Sequence, residues 1–238
     1  MAARAAFLSL ALLAGLTVQA GAVECPPSPA QPLALPRLAE GLRAGAMPLI
    51  IALGSSSTQG AGASSPEMAY PAQLEAALRR RGLDVQVLNS GRGGEDVVEM
   101  LDRLEADVIA LRPAVVIWQV GVNGAMRNHP VDRFRILLRQ GVARLQAAGA
   151  DVVLMDSQRG PWTAQAPSRD AFDRTMAEVA RDWGAGFFSR RRMMDAWVAA
   201  GAEAEVMLVS DGLHHNDRGY GCLADALAEA IRSGKVTR

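Results

Sequence analysis

Short runs of aliphatic, β-branched residues recur along the chain with helical patterns between them, and this alternation limits the possible folds more than any other feature. The runs are Ile50–Leu53, Val85–Leu88, Ala114–Val120 and Asp151–Met155, and Phe187-Phe188 ends a weaker one. They are apolar almost throughout rather than alternating, as strands buried on both faces of a parallel sheet should be. In between, Val97, Leu101, Leu104 and Val108 fall on one helical face, as do Phe134, Leu138, Val142 and Leu145, and then Leu223, Leu227 and Ile231. Gly82 and Gly149 follow helix ends, where a left-handed cap favours glycine, and Pro113 stops the helix before the third run. Strands that alternate with helices connect by right-handed crossovers. The expected fold is α/β, a three-layer α/β/α sandwich around a central, mostly parallel five-stranded sheet.

The 238 residues suffice for one sizeable core. Three segments are expected. Residues 1–22 read as a signal peptide, with Arg4 in a short positive region, an apolar stretch over Ala5–Val18, and a small-x-small cleavage pattern at Ala20-Gly21-Ala22. The apolar stretch is short for a membrane span, which needs about 20 residues. Residues 23–47 form a Pro/Ala-rich arm with a short helix near Leu35–Arg43, and residues 48–238 form the α/β domain. A periplasmic or secreted protein, with no stable membrane insertion after cleavage, is the expectation. In an oxidising compartment Cys25 and Cys222 could pair, tying the arm to the last helix across a loop worth on the order of 4 kcal/mol in the chain-entropy model. Acidic and basic residues balance at 25 each, and no basic stripe points to nucleic acid. The clusters Arg79–Arg81 and Arg190–Arg192 read as solvated helix ends or loops.

In sheets of this kind ligands bind beyond the carboxyl ends of the strands. The segments there are rich in small and polar residues: Gly54–Gly62, Asn89–Glu95 and Gly121–Met126. Ser56 follows the first run directly, and Asp211-Gly212-Leu213-His214 lies far downstream. Serine is a weak nucleophile unless a base takes its proton. His214 is the candidate base, and Asp211 would orient it and stabilise the imidazolium. Donors for a developing oxyanion would be the Ser56 N–H, the N–H of Gly94 in a turn that opens a helix, and the Asn123 side-chain amide.

These segments resemble the blocks of the SGNH/GDSL hydrolase superfamily over roughly residues 48–232. Gly54-Ser55-Ser56-Ser57-Thr58 is similar to Gly-Asp-Ser-x-Thr, Asn89–Gly94 to the second block, Gly121-Val122-Asn123-Gly124 to Gly-x-Asn-Asp, and Asp211–His214 to Asp-x-x-His. The resemblance implies a flavodoxin-like strand order 2-1-3-4-5. It also implies ester or thioester hydrolysis with no metal and no cofactor: Ser56 as nucleophile, Asp211 and His214 as partners, and Gly94 and Asn123 as oxyanion donors. Ser55 and Gly124 stand where the blocks carry aspartate, which would normally support loop hydrogen bonding. Those departures keep a catalytically weak or inactive glycan-binding relative as an alternative; an acyltransferase is a further one. The expected partner is a small-molecule or glycan ester, with short acyl or O-acetyl groups favoured.

Other residues read less sharply. Trp118 belongs to the core, while Trp162 either walls the substrate pocket or anchors a loop. His215 is a candidate pocket residue or an exposed loop imidazole, and His129 a surface loop residue. The histidines lack metal-ligand spacing. No phosphate-cradling Gly-Lys-Ser/Thr loop and no Gly-x-Ser-x-Gly elbow occurs.

Overall fold

The computed structural model describes residues 25–203 and 206–234; the expected signal peptide lies outside them. In chain order the elements are α1 (Pro36–Arg43), β1 (Leu49–Gly54), α2 (Ser56–Gln59), α3 (Tyr70–Arg80), β2 (Gln86–Gly91), α4 (Val97–Asp102), α5 (Leu104–Asp107), β3 (Val115–Gln119), α6 (Val122–Met126), α7 (Val131–Ala147), β4 (Asp151–Met155), α8 (Pro161–Ala164), α9 (Arg169–Asp182), β5 (Gly186–Phe188), α10 (Arg190–Ala199) and α11 (Asp217–Ser233). The sheet has five strands in the order β2-β1-β3-β4-β5, all paired in parallel. This is the expected doubly wound arrangement, with β1 and β3 adjacent and their carboxyl ends side by side.

Period-two alternation assigns each strand residue to one of two cores. Ile50, Ala52, Val115, Ile117, Val153 and Met155 face a layer made by α1, α3, α10 and α11. Ile51, Leu53, Val116, Trp118, Val152 and Leu154 face α4, α7 and α9 on the other side. A fully buried aliphatic side chain of this kind contributes roughly 1.5–3 kcal/mol. The N-terminal arm joins the first layer through Leu33, Leu35 and Leu38, with Leu33 N–H donating to the Ala230 carbonyl at 2.9 Å. Cys25 and Cys222 form a disulfide between arm and α11. Among the described residues no helix is long and apolar enough to cross a membrane.

Three expectations need correction. The second strand is not buried on both faces, because β2 is an edge strand whose residues are largely exposed or half-buried. The helix expected to run unbroken from Val97 to Val108 divides at Arg103, whose guanidinium turns under the strand ends to bond Glu95 Oε2 at 2.8 Å, Ser90 Oγ at 2.7 Å and the Ser90 carbonyl at 2.8 Å. Arg190 is not solvated. It opens α10 with no exposed surface and donates from Nη2 to Gln158 Oε1 at 2.5 Å.

Candidate active site

Ser56 is the first residue of α2, immediately beyond β1. Its Oγ lies 2.7 Å from His214 Nε2, and His214 Nδ1 lies 2.6 Å from Asp211 Oδ2. A hydroxyl, an imidazole and a carboxylate thus stand in one connected row at the carboxyl end of the sheet. The acid and the base share a tight turn. Asp211 Oδ1 accepts from the N–H groups of Leu213 (2.8 Å) and His214 (2.9 Å), and Gly212 takes a left-handed φ of 65° that other residues rarely adopt. Burial pushes the Asp211 carboxyl up, but the hydrogen bonds from the His214 ring and from both N–H groups outweigh it and hold the carboxyl below its ordinary value. The Asp211 side chain is 47% exposed against 15% for His214. Its field is screened, so its main contribution is to orient the ring.

The neighbouring loops supply hydrogen-bond donors. Asn123, at the start of α6, gives one Nδ2 hydrogen to the Glu95 carbonyl at 2.8 Å. Arg127 Nη2 donates to the Gly94 carbonyl at 2.7 Å. Consecutive peptides of the β2–α4 loop are therefore held by side chains of the α6 segment. The helix after that loop begins later than the turn suggested. Asp96 caps α4, with Val98 N–H donating to its Oδ1 at 2.9 Å and Glu99 Oε2 accepting from Asp96 N–H at 2.9 Å. Gly94 precedes the cap with φ 80°. At Gly124 a Cβ would stand 3.0 Å from the Phe172 ring, so a side chain there would need that ring on α9 to give by a few tenths of an ångström. A small, mainly apolar recess of about 80 Å³ lies behind Gly124, lined by Val97, Phe134, Leu137 and Phe172, with Asp96 and His129 at its edge. His129, expected on a surface loop, is half exposed and places Nδ1 3.0 Å from Asp96 Oδ2.

Trp162 lies on α8 and is 55% exposed, so it does not anchor the loop by packing. The segment is fixed by other means. Thr163 Oγ1 reaches the carbonyls of Gln158 and Gly160 at 2.9 and 3.0 Å, and Gln158 Nε2 donates to the Leu213 carbonyl at 3.0 Å, beside His214. His215 is neither an exposed loop imidazole nor a wall of an open pocket. It is fully buried, with Nδ1 3.0 Å from the Met207 carbonyl and its ring edge-on to Trp197 and Tyr220. Sequence reasoning missed Arg103, Gln119 and Gln158. Gln119 left a signal, being a polar residue directly after the apolar run of β3. Among the described residues no group of three His, Cys, Asp or Glu side chains gathers where it could hold a metal ion.

The profile of the non-GDSL lipase-like family matches residues 23–236. The chain belongs to that family. An arylesterase of Vibrio mimicus is 29% identical to this lipase-like protein over 95 residues, 40% of this chain and 48% of the relative, so the match spans about half of the relative's length. Among solved structures, an acetylxylan esterase of Geobacillus stearothermophilus aligns at 24% identity and a TM-score of 0.64, over 77% of this chain and 94% of its own. Esterase EstA of Pseudoalteromonas aligns at 22% and 0.66, over 77% and 96%. A two-domain esterase active on acetylated mannans aligns at 23% and 0.70, over 88% of this chain and 56% of its own. At such identities the likeness establishes the fold, which the non-GDSL lipase-like chain shares with the SGNH-type esterases.

Proposed function

We propose that this chain is an exported serine esterase that hydrolyses carboxylic esters through an acyl-enzyme on Ser56, with short acyl or O-acetyl groups on glycans as favoured substrates. The observation that carries the reading is the Ser56–His214–Asp211 row, with contacts of 2.7 and 2.6 Å. Ser56 Oγ attacks the ester carbonyl carbon as His214 Nε2 takes its proton. The tetrahedral oxyanion is met by the N–H groups of Ser56 and Gly94 and by the Asn123 amide. That amide has two hydrogens, and the one given to Glu95 sets the direction of the other. The C–O bond then breaks, and the leaving alcohol takes the proton from His214. Water, activated by the same imidazole, releases the carboxylic acid and restores Ser56.

Export is supported by the Cys25–Cys222 bridge, since such bonds persist in oxidising compartments. A glycan substrate is supported by the exposed indole of Trp162, a flat apolar surface beside the triad loop on which a sugar ring can stack, and by the acetylated polysaccharides named for structural neighbours. The test is a panel of nitrophenyl esters of graded chain length together with acetylated xylan and mannan oligosaccharides, assayed on the wild type and on Trp162→Ala. The expected result is hydrolysis of acetyl esters, with Trp162→Ala raising KM for the oligosaccharides about tenfold or more and leaving that for nitrophenyl acetate within about twofold. No hydrolysis of any ester by folded protein, with no fluorophosphonate labelling of Ser56, would overturn the esterase reading in favour of glycan binding alone.

A further inference from the structure

Gln119 ends β3 with no exposed surface, after four buried apolar residues. One atom of it, Oε1, accepts three hydrogen bonds from the segment that carries Ser56: from Ser55 N–H at 3.0 Å, Ser55 Oγ at 3.2 Å and Thr58 Oγ1 at 3.1 Å. The donors bracket Ser56 on both sides. Burial pushes the Tyr70 phenol up to about 12, so it keeps its proton, and because Thr58 gives its one hydroxyl hydrogen to Gln119, the Tyr70 hydroxyl 3.3 Å away is the donor to Thr58 Oγ1. The direction of the amide is dictated. A backbone N–H can only donate, so an oxygen must face Ser55. Nε2 is left buried with no hydrogen-bond partner among the described residues. An orphaned donor is costly, and the apolar alternatives in use along the rest of the strand would avoid that cost. The clamp is also closed sterically: a Cβ at Gly54 would stand 2.1 Å from Thr58 Oγ1 and 2.8 Å from Gln119 Oε1.

We propose that Gln119 is a positioning residue for Ser56: its amide oxygen fixes the turn that holds Oγ within reach of His214, and position 55 is serine because the clamp needs a donor there. An aspartate at 55 would instead set a carboxylate against that same oxygen. The proposal rests on Ser56 being the nucleophile.

The test measures the rate of fluorophosphonate labelling at Ser56, and kcat and KM on nitrophenyl acetate, for folded wild type, Gln119→Leu, Gln119→Glu and Ser55→Asp. Gln119→Leu is expected to lower labelling rate and kcat about 10- to 100-fold, with KM within about twofold. Gln119→Glu, which keeps an acceptor oxygen in place, should restore most of the rate. Ser55→Asp should lose rate although it restores the more familiar motif. Gln119→Leu that folds and labels at the wild-type rate would overturn the proposal while leaving the esterase reading intact. If wild type itself does not label at Ser56, both fall together. If Gln119→Leu does not fold, Thr58→Val decides. That variant removes one clamp bond, and a rate loss of about threefold or more supports the clamp, whereas an unchanged rate refutes it.

Discussion

His214 and His215 are neighbours in the chain yet take opposite duties. His214 faces Ser56, whereas His215 turns inward between Trp197 and Tyr220. Burial, and then the neighbouring Arg190 charge, push the His215 imidazole down to about 3, so it stays neutral and its Nδ1–H donates to the Met207 carbonyl. Only one imidazole is therefore available to move protons at the site. Ser56→Ala and His214→Ala are each expected to lower kcat by several orders of magnitude with the fold retained. Asp211→Asn should cost about 10³- to 10⁴-fold, through a wrongly held ring. Near-wild-type turnover in any of these folded variants removes that residue from the mechanism. Asp211 and His214 could be picked out from the sequence by their three-residue spacing, and Ser56 by its place directly after the first apolar run. Arg103 could not, and Gln119 showed only its polarity at the end of an apolar run, since a buried amide or guanidinium shows its partners only once segments far apart in sequence lie side by side.

At the level of elements, the interior strands were legible because continuous apolar runs fit a strand covered on both faces, as in β1, β3 and β4. The edges were less so. Caps supplied from a distance were not legible at all. No residue of its own caps α1, and Asp151 Oδ2, at the start of β4, accepts from Arg37 N–H at 2.8 Å and Leu38 N–H at 3.2 Å. The segment after β4 holds a second carboxylate that burial alters. Asp156 accepts from Ser189 Oγ at 2.6 Å and Arg191 N–H at 3.0 Å, and burial, reinforced by Asp173, pushes its carboxyl up to about 7. An unfolded aspartate titrates near 3.9. Between about pH 4 and pH 7 the folded protein therefore holds a proton that the unfolded chain has released, and stability drops as pH rises through that window. Asp156→Asn keeps one acceptor oxygen, for the Arg191 N–H, and does not titrate. The wild type should lose stability relative to this variant between about pH 4 and 7, measured by urea unfolding across the range. A constant difference would show that Asp156 does not titrate there.

On the scale of the whole molecule, the sheet, its two cores and the strand order followed from alternation and from the resemblance of the loop blocks. The packing of the arm did not, because Leu33 and Leu35 lie in a Pro-rich stretch without a period. The Cys25–Cys222 bridge closes 197 residues of sequence separation between that arm and α11. Removing such a bond typically costs about 2–5 kcal/mol, and about 1 kcal/mol shifts Tm by roughly 2–4 °C at this size. Reduction, or Cys25→Ser, should lower Tm by about 4–20 °C; an unchanged Tm would show that the arm is held by its leucines alone.

The same bridge has a consequence for a protein exposed to proteases. Ser56 sits on the amino-terminal side of nearly every surface loop, and Asp211, His214 and Cys222 on the carboxyl-terminal side. A single cut in a loop between them yields two fragments, one carrying the hydroxyl and the other the imidazole, still joined by sulfur. The broken chain migrates as one band until a reductant is added, and the parts needed to rebuild the row never diffuse apart.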